Sequence, residues 1–438
     1  MALNVLSKQK NYVLEKLSSF PFTVPNSNEF DLTVCKLVQR TERLTAFFQL
    51  DFNGPSQSNS SAVNAFGYRR YKWMDWFITI NCLITYTKFV ALGFSTSDSV
   101  AFYLGDSLFR AKDGQAIYIY GSIMISMLFV FREWILNLNA KGSFEILSAW
   151  KVCFNGFDST NLQMNNLVAK RFRFTIFLFS IFTQNVLLSM PFCSALIYII
   201  PCLSNPWIYK VPKLAFFCSV WSFPIIFVFT LLFSTAFGFF WYIVCSICFH
   251  LFRLYDLLHS ADDLNHRLVD GKQLRSFCVS IIHQLNNFEV VSHKFRYLLL
   301  CYLLIFAAVG DFDIFLGTIV KVYNESVANL FAFLGFSILL SLGTFGLIFG
   351  NFISKLNRLT VKLHQLSTKN RLTMRTANMV LEIMDRAAGP YNGIKIGDLL
   401  TLEKSFGITF ILENISALML FICNIGPLIH TANLSNQN

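Results

Sequence analysis

Three carboxylates lie inside long apolar stretches of this sequence, and they are the side chains best placed to do chemistry. Asp311 and Asp313 share one stretch, and Glu413 lies in the first half of another. A charged side chain within a bilayer is costly, so such groups usually face a cavity, a water-filled path or a partner. They are therefore candidates for attracting cations or anchoring a ligand. For Glu413, a pore or cavity role and a structural hydrogen bond to a neighbouring helix both stay open.

The motifs of known enzymes are absent from the sequence. There is no HExxH zinc motif, no P-loop and no GxSxG nucleophile elbow. Cys245 and Cys248 share a helical face, but without further ligands they indicate membrane packing instead of a metal site. A disulfide between Cys193 and Cys202 is an option that nothing requires. The sequence thus predicts no enzyme, no cofactor and no metal.

Helices that cross a membrane must position these side chains. Hydrophobic residues make up 54% of the 438 residues and charged residues only 14%, unlike a soluble globular domain. Seven apolar stretches are each long enough for a helix that spans the hydrocarbon core. They cover residues 73–95, 115–131, 174–200, 214–251, 297–320, 328–353 and 405–429. The sequence therefore predicts an all-α membrane protein with seven transmembrane helices.

The distribution of basic residues predicts the orientation of these helices. If the N-terminus is cytoplasmic, the inside segments 1–72, 132–173, 252–296 and 354–404 hold 30 of the 36 Lys and Arg residues. The outside segments hold five, and Lys88 lies in the first span, where we expect it to snorkel to the outer surface. This asymmetry follows the positive-inside rule. It also accounts for the net charge of +11 without a nucleic-acid site.

The predicted organisation follows from these spans. It comprises a cytoplasmic segment 1–72, helices one to four in 73–251, a cytoplasmic loop 252–296, helices five and six in 297–353, a cytoplasmic loop 354–404, helix seven in 405–429 and an extracellular tail 430–438. We expect a multi-pass protein of the plasma membrane. Asn324 begins an Asn-Glu-Ser sequon in an outside loop and is a predicted glycosylation site.

The fourth apolar stretch is longer than a bilayer requires. As one helix, residues 214–251 would extend about 57 Å, against about 30 Å of hydrocarbon core. The helix should tilt or project into the cytoplasm, where other helices must cover it. Four leucines at alternating spacings of three and four form a heptad-like seam in the loop 354–404: Leu356, Leu359, Leu363 and Leu366. That seam could pack on its own chain or join subunits.

Small residues in the sixth span offer a close contact between helices. Gly343, Gly346 and Gly350 lie on one helix, and the Gly346-xxx-Gly350 spacing permits a close approach of a neighbouring helix. Chance composition is the equally simple alternative.

In the last span, Thr409 and Phe410 are followed by residues 411–415 and then by Ser416 and Ala417. This stretch and the layout of the helices resemble the arthropod gustatory receptor family, which is related to the insect odorant receptors. That family carries Thr-Tyr, five mostly hydrophobic residues and Gln-Phe in helix seven, so Phe410 replaces Tyr, and Ser416 and Ala417 replace Gln-Phe. The stretches 343–366 and 283–300 resemble the sixth helix with its extension and the approach to the fifth helix.

The resemblance implies a receptor in which four identical or different subunits form a non-selective cation channel in the lipid bilayer, opened by a small-molecule tastant. Helix seven would line the pore, and the inner ends of helices four to seven would join the subunits. The implied pore and gate residues are Thr409, Phe410, Glu413, Ser416 and Ala417. The loss of Gln at Ser416 and the charge of Glu413 depart from the family pattern, which indicates a divergent member.

The tastant would bind in the outer half of each subunit. Such sites are mostly apolar with a few polar groups. Our candidates are Tyr118, Tyr120, Trp221, Phe333 and, as polar anchor, Asp313. The alternative functions are a solute transporter and an orphan multi-pass receptor without channel activity. A transporter should show repeats or broken helices, and none is visible in the sequence.

Overall fold

The computed structural model describes residues 27–47, 72–95, 97–111, 114–140, 156–265, 271–321, 325–369, 372–388, 393–403 and 405–435. Helices dominate these residues. They are α1 Ser27–Phe47, α2 Lys72–Phe94, α3 Asp98–Tyr103, α4 Gly114–Ala140, α5 Ser159–Leu162, α6 Asn166–Ser204, α7 Pro206–Lys210, α8 Pro212–Asn265, α9 Gly271–Phe315, α10 Glu325–Phe349, α11 Asn351–Lys369, α12 Met374–Ala388 and α13 Phe406–Ser435. A π-helical turn, Leu316–Val320, ends α9. Strands β1, Lys395–Ile396, and β2, Leu400–Thr401, form an antiparallel hairpin.

The predicted all-α membrane fold is confirmed. Helices α2, α4, α6, α8 and α9, and α10 with its extension α11, are long and apolar enough to cross a membrane. The seventh span corresponds to α13, whose stretch Phe406–Leu420 is a shorter apolar helix. The orientation and the segment boundaries remain predictions, and Asn324 lies outside the described residues.

The fourth span continues without a break well beyond the length of a bilayer. Helix α8 has 54 residues, about 80 Å at 1.5 Å per residue. Helix α11 and the first part of α9 pack against its projecting end, and α12 packs on α9 and α11. The leucine seam belongs to this layer, and its four side chains are at most 1% exposed. The seam therefore packs on its own chain and does not serve as a subunit surface.

A short hairpin links the middle of α9 to the start of α13. The N–H of Gly397 donates to the carbonyl oxygen of Arg296 at 2.7 Å. Asp398 accepts from both Arg296 and the hydroxyl of Tyr297, at 2.5 Å each. Gly397 has a φ of +60°, a conformation that favours glycine. The hairpin is thus fixed to α9 on one side and leads into α13 on the other.

The N-terminal helix α1 packs along α6. The amide of Gln184 donates to the carbonyl oxygen of Leu37 at 2.9 Å and to the hydroxyl of Thr41 at 2.8 Å. Near the first residues of both helices, Arg173 of α6 forms an ion pair with Asp31 of α1. Gln184 lies inside the third apolar stretch, and these two hydrogen bonds satisfy its amide N–H groups.

Helices α10 and α13 cross at a cluster of glycines. A Cβ added at Gly407 would lie 2.7 Å from the carbonyl oxygen of Gly343, and one at Gly346 would lie 2.6 Å from the ring of Phe406. Real Cβ atoms do not approach so closely, so the crossing needs glycine at these positions. Gly343 and Gly346 therefore mark a close helix contact and not chance composition.

Candidate functional site

Helices α4 and α9 bring together two of the predicted ligand residues. The hydroxyl of Tyr120 donates a 2.9 Å hydrogen bond to Asp313, whose side chain is buried. The Tyr120 ring stacks on Phe312, with ring centroids 5.1 Å apart and ring planes 8° from parallel. A carboxylate beside two aromatic faces is the combination that binds an organic ligand with a hydrogen-bond donor or a positive charge.

The third helix of this region, α10, approaches Asp313 through a glycine. A Cβ added at Gly335 would lie 2.9 Å from the Cβ of Asp313 and 2.5 Å from the carbonyl oxygen of Gly310. The packing between α9 and α10 at the level of Asp313 is therefore tight. A change around the carboxylate has to move α10 as well.

Asp311 has a different environment from Asp313. Its side chain is buried, and its Oδ1 atom has no hydrogen-bond partner among the described residues. Two residues along a helix point about 200° apart, so the two carboxylates do not share one site. Their surroundings agree with this geometry, since Asp313 accepts from Tyr120 whereas Asp311 Oδ1 accepts from no described residue.

A second polar cluster lies at the end of the bundle predicted to be extracellular. Lys88 is 2% exposed, and its Nζ donates to the carbonyl oxygen of Gly105 at 3.3 Å. The same Nζ lies 4.9 Å from the Trp221 ring centroid. The expectation that Lys88 snorkels to the surface is wrong, because the chain itself supplies a carbonyl and an aromatic face that stabilise the ammonium.

The other predicted ligand residues are placed apart from Asp313. The hydroxyl of Tyr118 donates to Asp106 at 2.6 Å, and the indole N–H of Trp221 donates to the carbonyl oxygen of Tyr103 at 3.3 Å. Both therefore hold the second cluster together. Phe333 is 68% exposed and lies on the outside of the bundle.

Asp106 lies in the connection between α3 and α4 and anchors this cluster. Burial raises the pKa of its carboxyl above the usual range. Hydrogen bonds from Tyr118 and from the N–H of Leu108, 2.8 Å away, act in the opposite direction. The carboxyl thus organises the loop over Lys88. The sequence signal for this cluster was a lysine inside a span, but its loop partners are not visible from spacing.

The predicted pore residues lie on both faces of α13. Thr409, Glu413 and Ser416 are exposed within the chain and fall within an arc of about 60° on a helix that turns 100° per residue. Ala417 is exposed beside them, whereas Phe410 is buried. Asn414 donates to the carbonyl oxygen of Phe410 at 2.6 Å. We call Thr409, Glu413 and Ser416 the polar stripe of α13.

The polar stripe is uncovered because α13 packs on only one side. Its contacts are with α10 and α9. Glu413 has no ion pair with any described residue. In a single chain the stripe would face lipid, which is unfavourable for a carboxylate.

An open cleft of about 700 Å³ lies beside α11, away from Asp313. Most of the residues that line it are polar or charged. They include Asn357, Arg358, Lys362, Gln365 and Glu403. Lys362 is held by an ion pair with Asp262 of α8. This cleft belongs to the helical layer around the end of α8 and differs in chemistry from an apolar ligand pocket.

Comparison with known proteins gives fold similarity alone. No family model and no curated protein matches the sequence. Two solved structures of the insect olfactory receptor OR5 from Machilis hrabei, one in complex with eugenol, are similar over 89% of this chain and 99% of theirs. Their TM-scores are 0.55 and 0.53, at 13% sequence identity. The chain therefore has the fold of an insect olfactory receptor.

Proposed function

We propose that this protein is a divergent gustatory-type chemoreceptor, a ligand-gated non-selective cation channel of the plasma membrane opened by a small-molecule tastant. The polar stripe of α13 is the observation that carries the proposal. The likeness to an insect olfactory receptor supports it at the level of fold, and the resemblance at Thr409, with Phe410 in place of the family's Tyr, supports the gustatory branch.

Assembly gives the polar stripe an environment that a single chain does not provide. If four copies, or copies of this chain with related subunits, place α13 around a common axis, Glu413 faces water instead of lipid. A ring of carboxylates then favours cations over anions in the pore. The uncovered side of α13 is where the neighbouring subunits and the pore would be.

The proposed tastant site lies around Tyr120 and Asp313. The solved structure of the similar receptor contains eugenol, a small aromatic molecule, which supports an organic ligand of comparable size here. A ligand that contacts Asp313 better in the open state than in the closed state shifts the population toward the open channel.

Helix α10 provides a direct connection between that site and the pore helix. Gly335 packs against α9 beside Asp313, and Gly343 packs against Gly407 of α13. The two glycines are eight residues apart on one helix, about 12 Å. A displacement of α10 caused by a ligand at Asp313 therefore reaches α13 without an intermediate element.

Single-particle imaging of the purified full-length chain tests the proposal. We expect a four-fold or pseudo-four-fold particle with α13 nearest the axis and Glu413 facing the central path. A co-purifying subunit would appear in the same particle. A monomer, or an assembly with α13 facing lipid, would overturn the channel and favour a transporter or a receptor without channel activity.

A further inference from the structure

Two cysteines from neighbouring helices meet near the second polar cluster. Cys202 lies at the end of α6 and Cys218 in the second turn of α8. The two thiols are close enough to influence each other, and both lie near the hydroxyl of Tyr198. The Tyr198 hydroxyl also donates to the carbonyl oxygen of Cys218 at 3.0 Å. The two sulfur atoms are therefore neighbours in the folded chain.

A rigid connection holds these cysteines in place. The side chain of Asn205 donates to the carbonyl oxygens of Ser107 and Phe109, at 3.1 and 3.2 Å, and accepts from the N–H of Trp207. Cys218 is buried in a small apolar cluster with Phe109, Ile208 and Leu214, and Cys202 packs at its edge. The ends of α6 and α8 are thus held next to each other, with both cysteines at the same apolar cluster.

The pair lies where disulfides persist. With 30 Lys and Arg residues on one side of the predicted membrane and five on the other, the positive-inside rule predicts that the connection between α6 and α8 is extracellular. Thiols that face the secretory lumen during synthesis meet an oxidising environment. This argument depends on the orientation and not on channel activity.

The pairing that the sequence left open, Cys193 with Cys202, is wrong. Both residues belong to α6, and nine residues along a helix separate their Cα atoms by about 13 Å. A disulfide needs Cα atoms within about 7 Å. Cys193 is exposed on the side of α6 and serves as a matched control.

We propose that Cys202 and Cys218 form a disulfide bond in the mature protein, which joins α6 to α8 at the extracellular end of the bundle. The oxidant is a disulfide of a secretory-pathway thiol oxidoreductase. The Cys202 sulfur, the more accessible of the two, attacks that disulfide as a thiolate and releases one thiol of the oxidoreductase. The Cys218 sulfur then attacks Cys202 in the mixed disulfide and releases the second thiol. Two electrons and two protons pass to the oxidoreductase, which is reduced to its dithiol.

Counting free thiols on the surface-exposed fraction of the expressed full-length chain tests the bond. The protein is biotinylated on intact cells, denatured without reductant, and labelled with a maleimide polymer that adds a fixed mass per thiol. Each single variant, Cys202→Ser or Cys218→Ser, should gain one label relative to wild type, because it frees the partner cysteine. After reduction each should carry one label fewer than wild type.

Without reductant, a disulfide predicts one more label for Cys202→Ser and Cys218→Ser, whereas replacement of a free cysteine removes one label. Cys193→Ser should lose one label with and without reductant. If Cys202→Ser and Cys218→Ser also lose one label without reductant, the thiols are free and the proposal is overturned. If a variant does not reach the surface, trypsin digestion of the surface wild type decides. A linked pair of peptides 174–210 and 214–253 supports the bond, and their recovery only as unlinked thiol peptides rejects it.

Discussion

The hydroxyl of Tyr120 on α4 donates a 2.9 Å hydrogen bond to the buried carboxyl group of Asp313 on α9. Phe312 stacks on the same tyrosine ring. Among the described residues no basic side chain pairs with Asp313. A ligand that enters between α4 and α9 therefore has to compete with Tyr120 for the carboxyl group, and its best competitor is a hydrogen-bond donor or a cation.

The first prediction concerns this pair. Asp313→Asn and Tyr120→Phe should both change the concentration of tastant that gives half-maximal current. A hydrogen bond to a charged group contributes about 1.5–3 kcal/mol, so a change of about ten-fold or more is expected for Asp313→Asn. The double variant should differ from the sum of the two single effects, because the two side chains contact each other. Dose–response curves under patch clamp measure all three.

Phe333→Ala is the matched control for that series, because Phe333 is exposed on the outside of the bundle. Its dose–response curve should coincide with wild type. Retention of Asp313→Asn inside the cell, seen by surface labelling, would show instead that the carboxyl group holds the fold together.

The second prediction concerns Glu413. Glu413→Gln removes one negative charge per subunit from the polar stripe at almost constant volume. If the stripe faces the pore, the permeability of cations relative to chloride should fall, since the local field that attracts cations is weaker. The shift of reversal potential on dilution of external NaCl measures this ratio. Glu289 is exposed on α9, and Glu289→Gln should leave the reversal potential unchanged. An equal shift of the reversal potential in both variants would contradict the proposal that Glu413 faces the pore.

The third prediction tests the crossing of α10 and α13. In Gly407→Ala the added Cβ would lie 2.6 Å from Cγ of Leu347 and 2.7 Å from the carbonyl oxygen of Gly343. The backbone oxygen has no rotamer with which to move away, so overpacking of about 1–3 kcal/mol is expected. The thermal midpoint of the detergent-solubilised protein should fall. At Gly271 nothing lies within 4 Å of an added Cβ, so Gly271→Ala should have the thermal midpoint of wild type. An equal fall of the midpoint in both variants would mean that the close crossing of α10 and α13 is not the cause.

Hydrophobic length was sufficient to predict the seven spans, because a helix that crosses lipid needs about 20 apolar residues wherever it occurs. The same reasoning predicted that α8 projects beyond the bilayer, since its excess length is a property of one segment. The Lys88 cluster was not predictable in this way. Its partners Gly105 and Trp221 come from a loop and from another helix, and their approach depends on packing that no local pattern encodes.

In the candidate site, too, single residues were predictable from the sequence but their contacts were not. The sequence identified Asp313 and Tyr120 separately, as a carboxylate and an aromatic in two spans, and their contact across 193 positions emerges only from the packing of α4 on α9. The proximity of Cys202 to Cys218 was not predictable, because Cys202 lies beyond the apolar stretch 174–200 and because the contact between the ends of α6 and α8 depends on the folding of the connection between them. The stripe on α13 follows from 100° per residue alone, and its exposure follows from the absence of a further described helix on that side.

The last prediction concerns the leucine seam of α11. Leu359 and Leu363 are 0% exposed and belong to the same core as Leu254 and Leu257 of α8. Leu359→Ala should cost about 2–5 kcal/mol of folding free energy, because it leaves a cavity in a packed core. Val361 lies between these leucines on the exposed face of α11 and is 58% exposed. Val361→Ala is therefore the control, and its folding free energy should stay within about 0.5 kcal/mol of wild type. Thermal unfolding at several protein concentrations separates the two readings of the seam. If the loss of thermal stability in Leu359→Ala is independent of protein concentration, the seam packs within one chain. A loss that disappears at high concentration would show instead that the seam lies in a subunit interface.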